Sequence, residues 1–219
     1  MRYYQTGNLR GTTDIVKNLI ILNVLFFVAN YVLTRYNIYL EEWLPLYYVN
    51  GPNHKVWQWV THMFMHAGLW HLFLNMFGLW MFGIRMEQLL GAKRFFILYF
   101  LSGFIAAGFQ MGQSLVINEV YHAGLDIPMV GASGAVFGVV GAFTAFFPNT
   151  ELMIIFLPIP IKAKYLIGGT AVVSLVLGVT AILGITGPGG VAHLAHLGGI
   201  VTGFLLVRYW NKNNRTTLY

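Results

Sequence analysis

"VGASGAVFGVVGAF", residues Val130 to Phe143, places one serine, Ser133, among apolar and small residues, with Gly131 two positions before it and Gly134 directly after. What a hydroxyl is for inside such a segment depends on the chain around it. The 219 residues are 57% hydrophobic and 9% charged, against about 45–50% and 25% in ordinary soluble domains. Apolar residues come in blocks of spanning length, and the loops between them hold nearly all the charge. The chain therefore reads as an all-α polytopic membrane protein, one helical bundle and one domain over residues 1–219.

Six segments approach the roughly 20 residues needed to cross a bilayer core: Val16–Leu33, Leu69–Ile84, Phe95–Met111, Gly131–Phe147, Tyr165–Ile185 and Leu194–Tyr209. They set a transmembrane core of residues 16–209 with short tails. The first segment is too long for a typical signal-sequence core, contains Asn23 and Asn30, and lacks a small-x-small cleavage site. It is read as a retained helix.

Arg2, Arg10, Lys17, Arg85, Lys93, Arg94, Lys162, Lys164, Arg208, Lys212 and Arg215 fall in the termini and the even-numbered loops. Only Arg35 and Lys55 fall in the alternate ones. The positive-inside rule then puts both termini in the cytoplasm. The first outer loop, Thr34 to Gly68, carries Trp43, Trp57 and Trp59, as a loop lying partly in the interface would, and "PGG" at Pro188–Gly190 makes the last outer loop short. The net charge of +6 flanks apolar segments, so it speaks for membrane topology and against nucleic acid. Cysteine is absent, which excludes disulfides, thiol catalysis and thiolate metal sites.

With this topology the second, fourth and sixth spans begin on the outer side, and each carries polar residues near that beginning: His71 and Asn75, Ser133, and His196. Polar and ionisable groups within spans are costly and point to function. Gly134 and Gly138 form a small-xxx-small ridge on the fourth span, and Gly199 and Gly203 form one on the sixth. Such ridges bring backbones close together, which would set Ser133 beside His196.

A serine hydroxyl becomes a nucleophile when a base takes its proton, and neutral histidine is the usual base near pH 7. Ser133 and His196 are the candidate catalytic pair. His71 and Asn75, four residues apart, share a helical face and can donate hydrogen bonds, with the Ser133 amide, to a developing oxyanion. The acidic residues are Asp14, Glu41, Glu42, Glu87, Glu119, Asp126 and Glu151, none of them within the fourth or sixth span, so a dyad is expected. Phe137, one turn after Ser133, is the candidate to orient His196.

At these residues the sequence resembles the rhomboid intramembrane serine proteases, over Trp57 to Leu206. "HMFMHAGLWHLFLNMFGLWMFG" at His62–Gly83 resembles the family's second helix, with His71 and Asn75 at its H-x-x-x-N oxyanion positions. "GASG" at Gly131–Gly134 is similar to G-x-S-G, with Ser133 as nucleophile, and "AHLGG" at Ala195–Gly199 to A-H-x-x-G, with His196 as base. "EQLLG" at Glu87–Gly91 resembles the E-x-x-x-G element after helix two. The resemblance implies a six-helix rhomboid-like bundle that cleaves peptide bonds in or near transmembrane segments of membrane-protein substrates, without a cofactor. The sequence departs from the family at Phe137, where the family often stacks a tyrosine on its histidine; stacking survives and the hydroxyl is lost.

Other readings of the same residues exist. Ser133 alone could be a packing residue on a glycine-rich face, and His71, Asn75 and His196 could bridge helices. His62, His66, His71 and His193 could suggest metal or proton transport, but no carboxylate accompanies them and H-E-x-x-H is absent. A soluble hydrolase elbow would need glycine where Ala135 stands. A catalytically inactive relative that binds transmembrane clients would keep the fold. The expectation is a protease with no metal and no nucleic-acid partner, embedded in membrane lipid; the compact chain without an appended targeting region suggests a bacterial plasma membrane.

Overall fold

The computed structural model describes residues 14–124, 126–154, 157–186 and 192–214. Arg2, Arg10, Arg215 and the Pro188–Gly190 loop lie outside them. The chain forms α1 (Asp14–Thr34), the short α2 (Gln58–Thr61) continued by a 3-10 turn (His62–Phe64), α3 (Leu69–Gly78) and α4 (Ile84–Leu90) joined by a π-helical turn (Leu79–Gly83), α5 (Ala92–Leu115) with a π-helical extension (Val116–Val120), α6 (Ser133–Phe146), α7 (Ala163–Ile182) and α8 (His193–Asn214).

Three helices are long and apolar enough to cross a bilayer: α1, α5 with its extension, and α7. The pair Gln58–Phe64 and Leu69–Leu90, bent by 95°, is a fourth candidate. Of the six expected spans, length and apolarity carry three, or four with the bent pair, among the described residues. At 14 residues α6 is about 21 Å long, short of a roughly 30 Å core. α8 has the length, at 22 residues, but carries His193, His196, Arg208 and the polar end "NKNN".

The purely helical expectation needs a correction. Between α6 and α7 runs an antiparallel ribbon of β1 (Glu151–Ile154) and β2 (Leu157–Lys162), with Glu151 opposite Lys162 and a register shift after Met153. Leu152 is half-buried and its neighbour Met153 exposed, as the opposite faces of a pleated strand allow, but the ribbon sits between two apolar blocks and reads as a plain loop.

Lipid-facing and core-facing helices separate by what covers them. Val172 on α7 is 61% exposed and Leu25 on α1 56%, exposures that in water would leave extended apolar patches and in a bilayer face acyl chains. α6 is the opposite case. Gly134, Ala135, Val136, Gly138, Val139, Val140, Gly141, Ala142, Phe143 and Thr144 are all buried, as expected of a helix apolar on every side, and α3, α5, α7 and α8 all pack on it.

The glycine ridges make that packing possible. A methyl group on Gly199 would overlap the Gly134 carbonyl oxygen, and one on Gly203 the Gly138 carbonyl. α6 and α8 therefore meet backbone to backbone, in the geometry small residues permit between membrane helices. On the other flank Gly134 faces Ala106 and Gly138 faces Ser102 of α5.

Two remote contacts fix the frame. Glu87, midway along α4 and buried, accepts the Ile15 and Val16 amides at 3.0 and 2.9 Å. It thereby caps the first turn of α1, whose early N–H groups have no partner within their own helix. In the first long loop the buried Gln58 side chain accepts from the Tyr47 and Lys55 amides and donates to the Trp43 and Asn53 carbonyls. One amide thus uses both donor hydrogens and accepts twice, tying the loop together.

Candidate active site

Ser133 is the first residue of α6, so its position is set by the segment before it. Leu46 and Met129 exchange both backbone hydrogen bonds at 2.9 Å, and the Gly131 amide donates to the His62 carbonyl at 2.9 Å. These straps hold residues 129–131 against the first long loop. Gly131 adopts φ +118°, a region that L side chains rarely enter. The turn delivers Ser133 to the helix start, where the first amides lack helical acceptors.

The Ser133 hydroxyl meets His196 from α8. Ser133 Oγ and His196 Nε2 are 2.9 Å apart, a hydrogen bond between residues 63 positions apart in the chain. Phe137 lies one turn below, its ring centroid 4.4 Å from that of His196 and tilted 35°. The α6–α8 glycine contacts occupy the turns immediately beyond, so Ser133 and His196 sit at one end of the seam where the two backbones touch.

α3 supplies the other wall. His71 Nδ1 accepts from the Ala67 amide at 3.4 Å, which in a neutral imidazole leaves the proton on Nε2, the donor position. That edge of the ring lies against Gly131. One turn on, the buried Asn75 donates from Nδ2 to the His71 carbonyl at 2.9 Å; an amide has a second N–H to offer.

Ser133, His196, His71, Asn75 and Phe137 line a single cavity of about 700 Å³. The four site residues read from the sequence are thus brought together, with the expected stacking partner. No carboxylate lines the cavity among the described residues, and none of their His, Asp and Glu side chains group in threes suited to a metal ion.

The remaining histidines have separate places. His62 is buried with Nδ1 bonded to the Gln58 carbonyl at 2.8 Å. His66 is buried edge-on to His71 at 5.1 Å between ring centroids. His193 lines the cavity one turn before His196.

Sequence reasoning missed Gln110 and Gln113, which line the same cavity and whose side-chain oxygens are buried without a protein donor. Their signal was available, since both are amides at the end of an apolar span. The contact between Gly131 and His71 was not visible, because nothing in the spacing of the two segments specifies it.

A rhomboid domain model matches residues 53–212. The chain is 35% identical over 150 residues to "Rhomboid protein 1, mitochondrial" of Saccharomyces cerevisiae, covering 68% of this chain and 40% of the yeast protein. It is 28% identical over 173 residues to "Rhomboid protease GlpG" of Yersinia pestis, covering 79% of this chain and 54% of that one. It is also 37% identical over 90 residues to "Inactive RHOMBOID-like protein 8" of Arabidopsis thaliana, covering 41% of this chain and 23% of the plant protein. The chain therefore spans about half or less of the length of these relatives. They come from mitochondria, plants and bacteria, so they do not carry the expectation of a bacterial plasma membrane. On the extent of the domain match and the identity to its relatives, the chain belongs to the rhomboid family.

Proposed function

We propose that this chain is an intramembrane serine endopeptidase that hydrolyses peptide bonds in or near transmembrane segments of membrane-protein substrates. The observation that carries the reading is the 2.9 Å hydrogen bond between Ser133 Oγ and His196 Nε2 inside a cavity that also holds His71 and Asn75. In the first half-reaction Ser133 Oγ bonds to the substrate carbonyl carbon while its proton passes to His196 Nε2. The negative charge that forms on the carbonyl oxygen is met by His71 Nε2–H, Asn75 Nδ2–H and the Ser133 amide, preorganised donors of the kind that stabilise such intermediates.

His196 then gives its proton to the leaving amine, the C–N bond breaks and an acyl-enzyme remains. In the second half-reaction water attacks that ester with His196 again as base, the bond from the acyl carbon to Ser133 Oγ breaks, and His196 returns the proton to Oγ as the acid product leaves. The buried oxygens of Gln110 and Gln113 suit the cavity to hold water, which occupies sites with several polar partners. Phe137 holds the imidazole plane by stacking in place of a carboxylate.

The topology we assign is six helices in one domain: α1, the continuous α3–α4 unit, α5, α6, α7 and α8, with both termini cytoplasmic. Eleven of the thirteen Lys and Arg residues on one side support it. The cavity then opens toward the outer face, and cleavage falls near the outer end of a substrate helix whose backbone must unwind locally to reach Ser133.

A relative named inactive gives the client-binding reading a specific footing, and one experiment separates the two. A fluorophosphonate probe should label the purified protein covalently and fail to label Ser133→Ala. Equal labelling of both, or of neither, would overturn the protease reading.

A further inference from the structure

A second cavity, of about 320 Å³, lies at the end of the bundle away from Ser133, between α6, α7 and α8. Its size falls within the roughly 300–1,000 Å³ of ligand clefts. Gly141 and Thr144 of α6 and Ile167 and Gly168 of α7 contribute apolar wall. The Thr144 hydroxyl already donates to the Val140 carbonyl at 2.9 Å, so it has no proton left to offer an anion. The floor is closed because Gly141 rests on the backbone of Ile200, whereas nothing lies within 4 Å of a methyl group placed on Gly168.

Two cations stand on the wall of this apolar groove. Lys164 is in the first turn of α7, where the helix dipole adds positive potential, and its Nζ lies 5.0 Å from the Tyr165 ring centroid. Arg208 comes from α8, with its guanidinium carbon 5.4 Å from the Phe204 centroid. Both side chains are exposed. Among the described residues neither is paired with a carboxylate; the ion pair there is Lys17 with Asp14.

An apolar slot between membrane helices with unpaired cations on its wall matches the two halves of one molecule, an anionic head and a hydrocarbon tail. We propose that this groove binds one anionic glycerophospholipid, its phosphate held by Lys164 and Arg208 and an acyl chain laid along Ile167 and Gly168. A zwitterionic lipid offers the same tail with a cation beside the phosphate and is bound more weakly. The site is separate from the Ser133 cavity and stands whether or not the chain cleaves substrates.

The test is native mass spectrometry of the full chain released from micelles containing equimolar palmitoyl-oleoyl phosphatidylglycerol and phosphatidylcholine. Wild type should retain phosphatidylglycerol adducts in preference to phosphatidylcholine. Lys164→Ala with Arg208→Ala should lower that preference roughly tenfold or more, in line with two juxtamembrane cations. Gly168→Leu, which enters open space and leaves both charges in place, should reduce total lipid retention, and Lys93→Ala, outside the groove, should leave both readouts at the wild-type level. Unchanged preference in the double variant, full retention in Gly168→Leu, or an equal loss in Lys93→Ala would overturn the proposal.

Discussion

Gly131 lies against the imidazole of His71 so closely that a methyl group on its α-carbon would come 2.8 Å from both Cε1 and Nε2 of the ring. The residue therefore does two things for the site. It turns the chain into α6 at φ +118°, and it leaves room for the histidine edge to which the proposed mechanism gives the oxyanion contact. Gly131→Ala should cost roughly 1–3 kcal/mol of backbone strain and displace His71. An ångström of misplacement near reacting groups costs about 100-fold in rate, so kcat on a transmembrane substrate should fall by about that factor while the protein stays folded by circular dichroism. Near-wild-type kcat would show that the His71 edge is not used.

His71→Ala and Asn75→Ala test the donors separately. In the proposed mechanism each removes one hydrogen bond to the oxyanion, a loss typically of about 10²–10³ in kcat. Steady-state kinetics in micelles should show kcat falling with KM little changed. A rise in KM alone would assign these residues to substrate binding.

The α6–α8 contact should be the least tolerant part of the bundle. Gly199→Val places a side chain where the Gly134 carbonyl already sits, and the helices must separate. The detergent concentration at which half the protein unfolds should drop sharply and the dyad should be lost with it. Gly108→Ala on α5, where nothing lies within 4 Å, should instead hold or gain up to about 1 kcal/mol from helix propensity. Equal behaviour of the two variants would contradict the packing described here.

Glu87 caps α1 from 71 and 72 residues away. Replacing a capping acceptor by Ala typically costs about 0.5–2 kcal/mol, and here two amides lose their partner. Glu87→Ala should therefore lower unfolding resistance more than Glu87→Gln, which keeps one acceptor oxygen. Proteolysis near residue 14 should rise in the same order. If both variants unfold like wild type, the cap contributes nothing to stability.

Much of this was legible from spacing. The H-x-x-x-N interval put His71 and Asn75 on one face, and the glycine ridges at 134/138 and 199/203 foretold that α6 and α8 would touch, hence that Ser133 and His196 would meet. Those are local periodicities with a fixed geometric meaning. The ribbon at Glu151–Lys162, the 95° bend ahead of α3 and the Gly131–His71 contact were not legible. Each depends on which segments become neighbours after folding, and hydropathy does not encode that. Glu87 stands out in the sequence as part of E-x-x-x-G, but its partners on α1, 71 and 72 residues away, are set only by folding.

The most direct measurement is turnover of a fluorescent transmembrane substrate reconstituted in liposomes with wild type, Ser133→Ala or His196→Ala. Wild type should cleave near the outer end of the substrate helix, and each variant should lose at least about 10³-fold. Equal turnover by all three, or cleavage that survives loss of the Ser133 hydroxyl, would contradict the proposed mechanism.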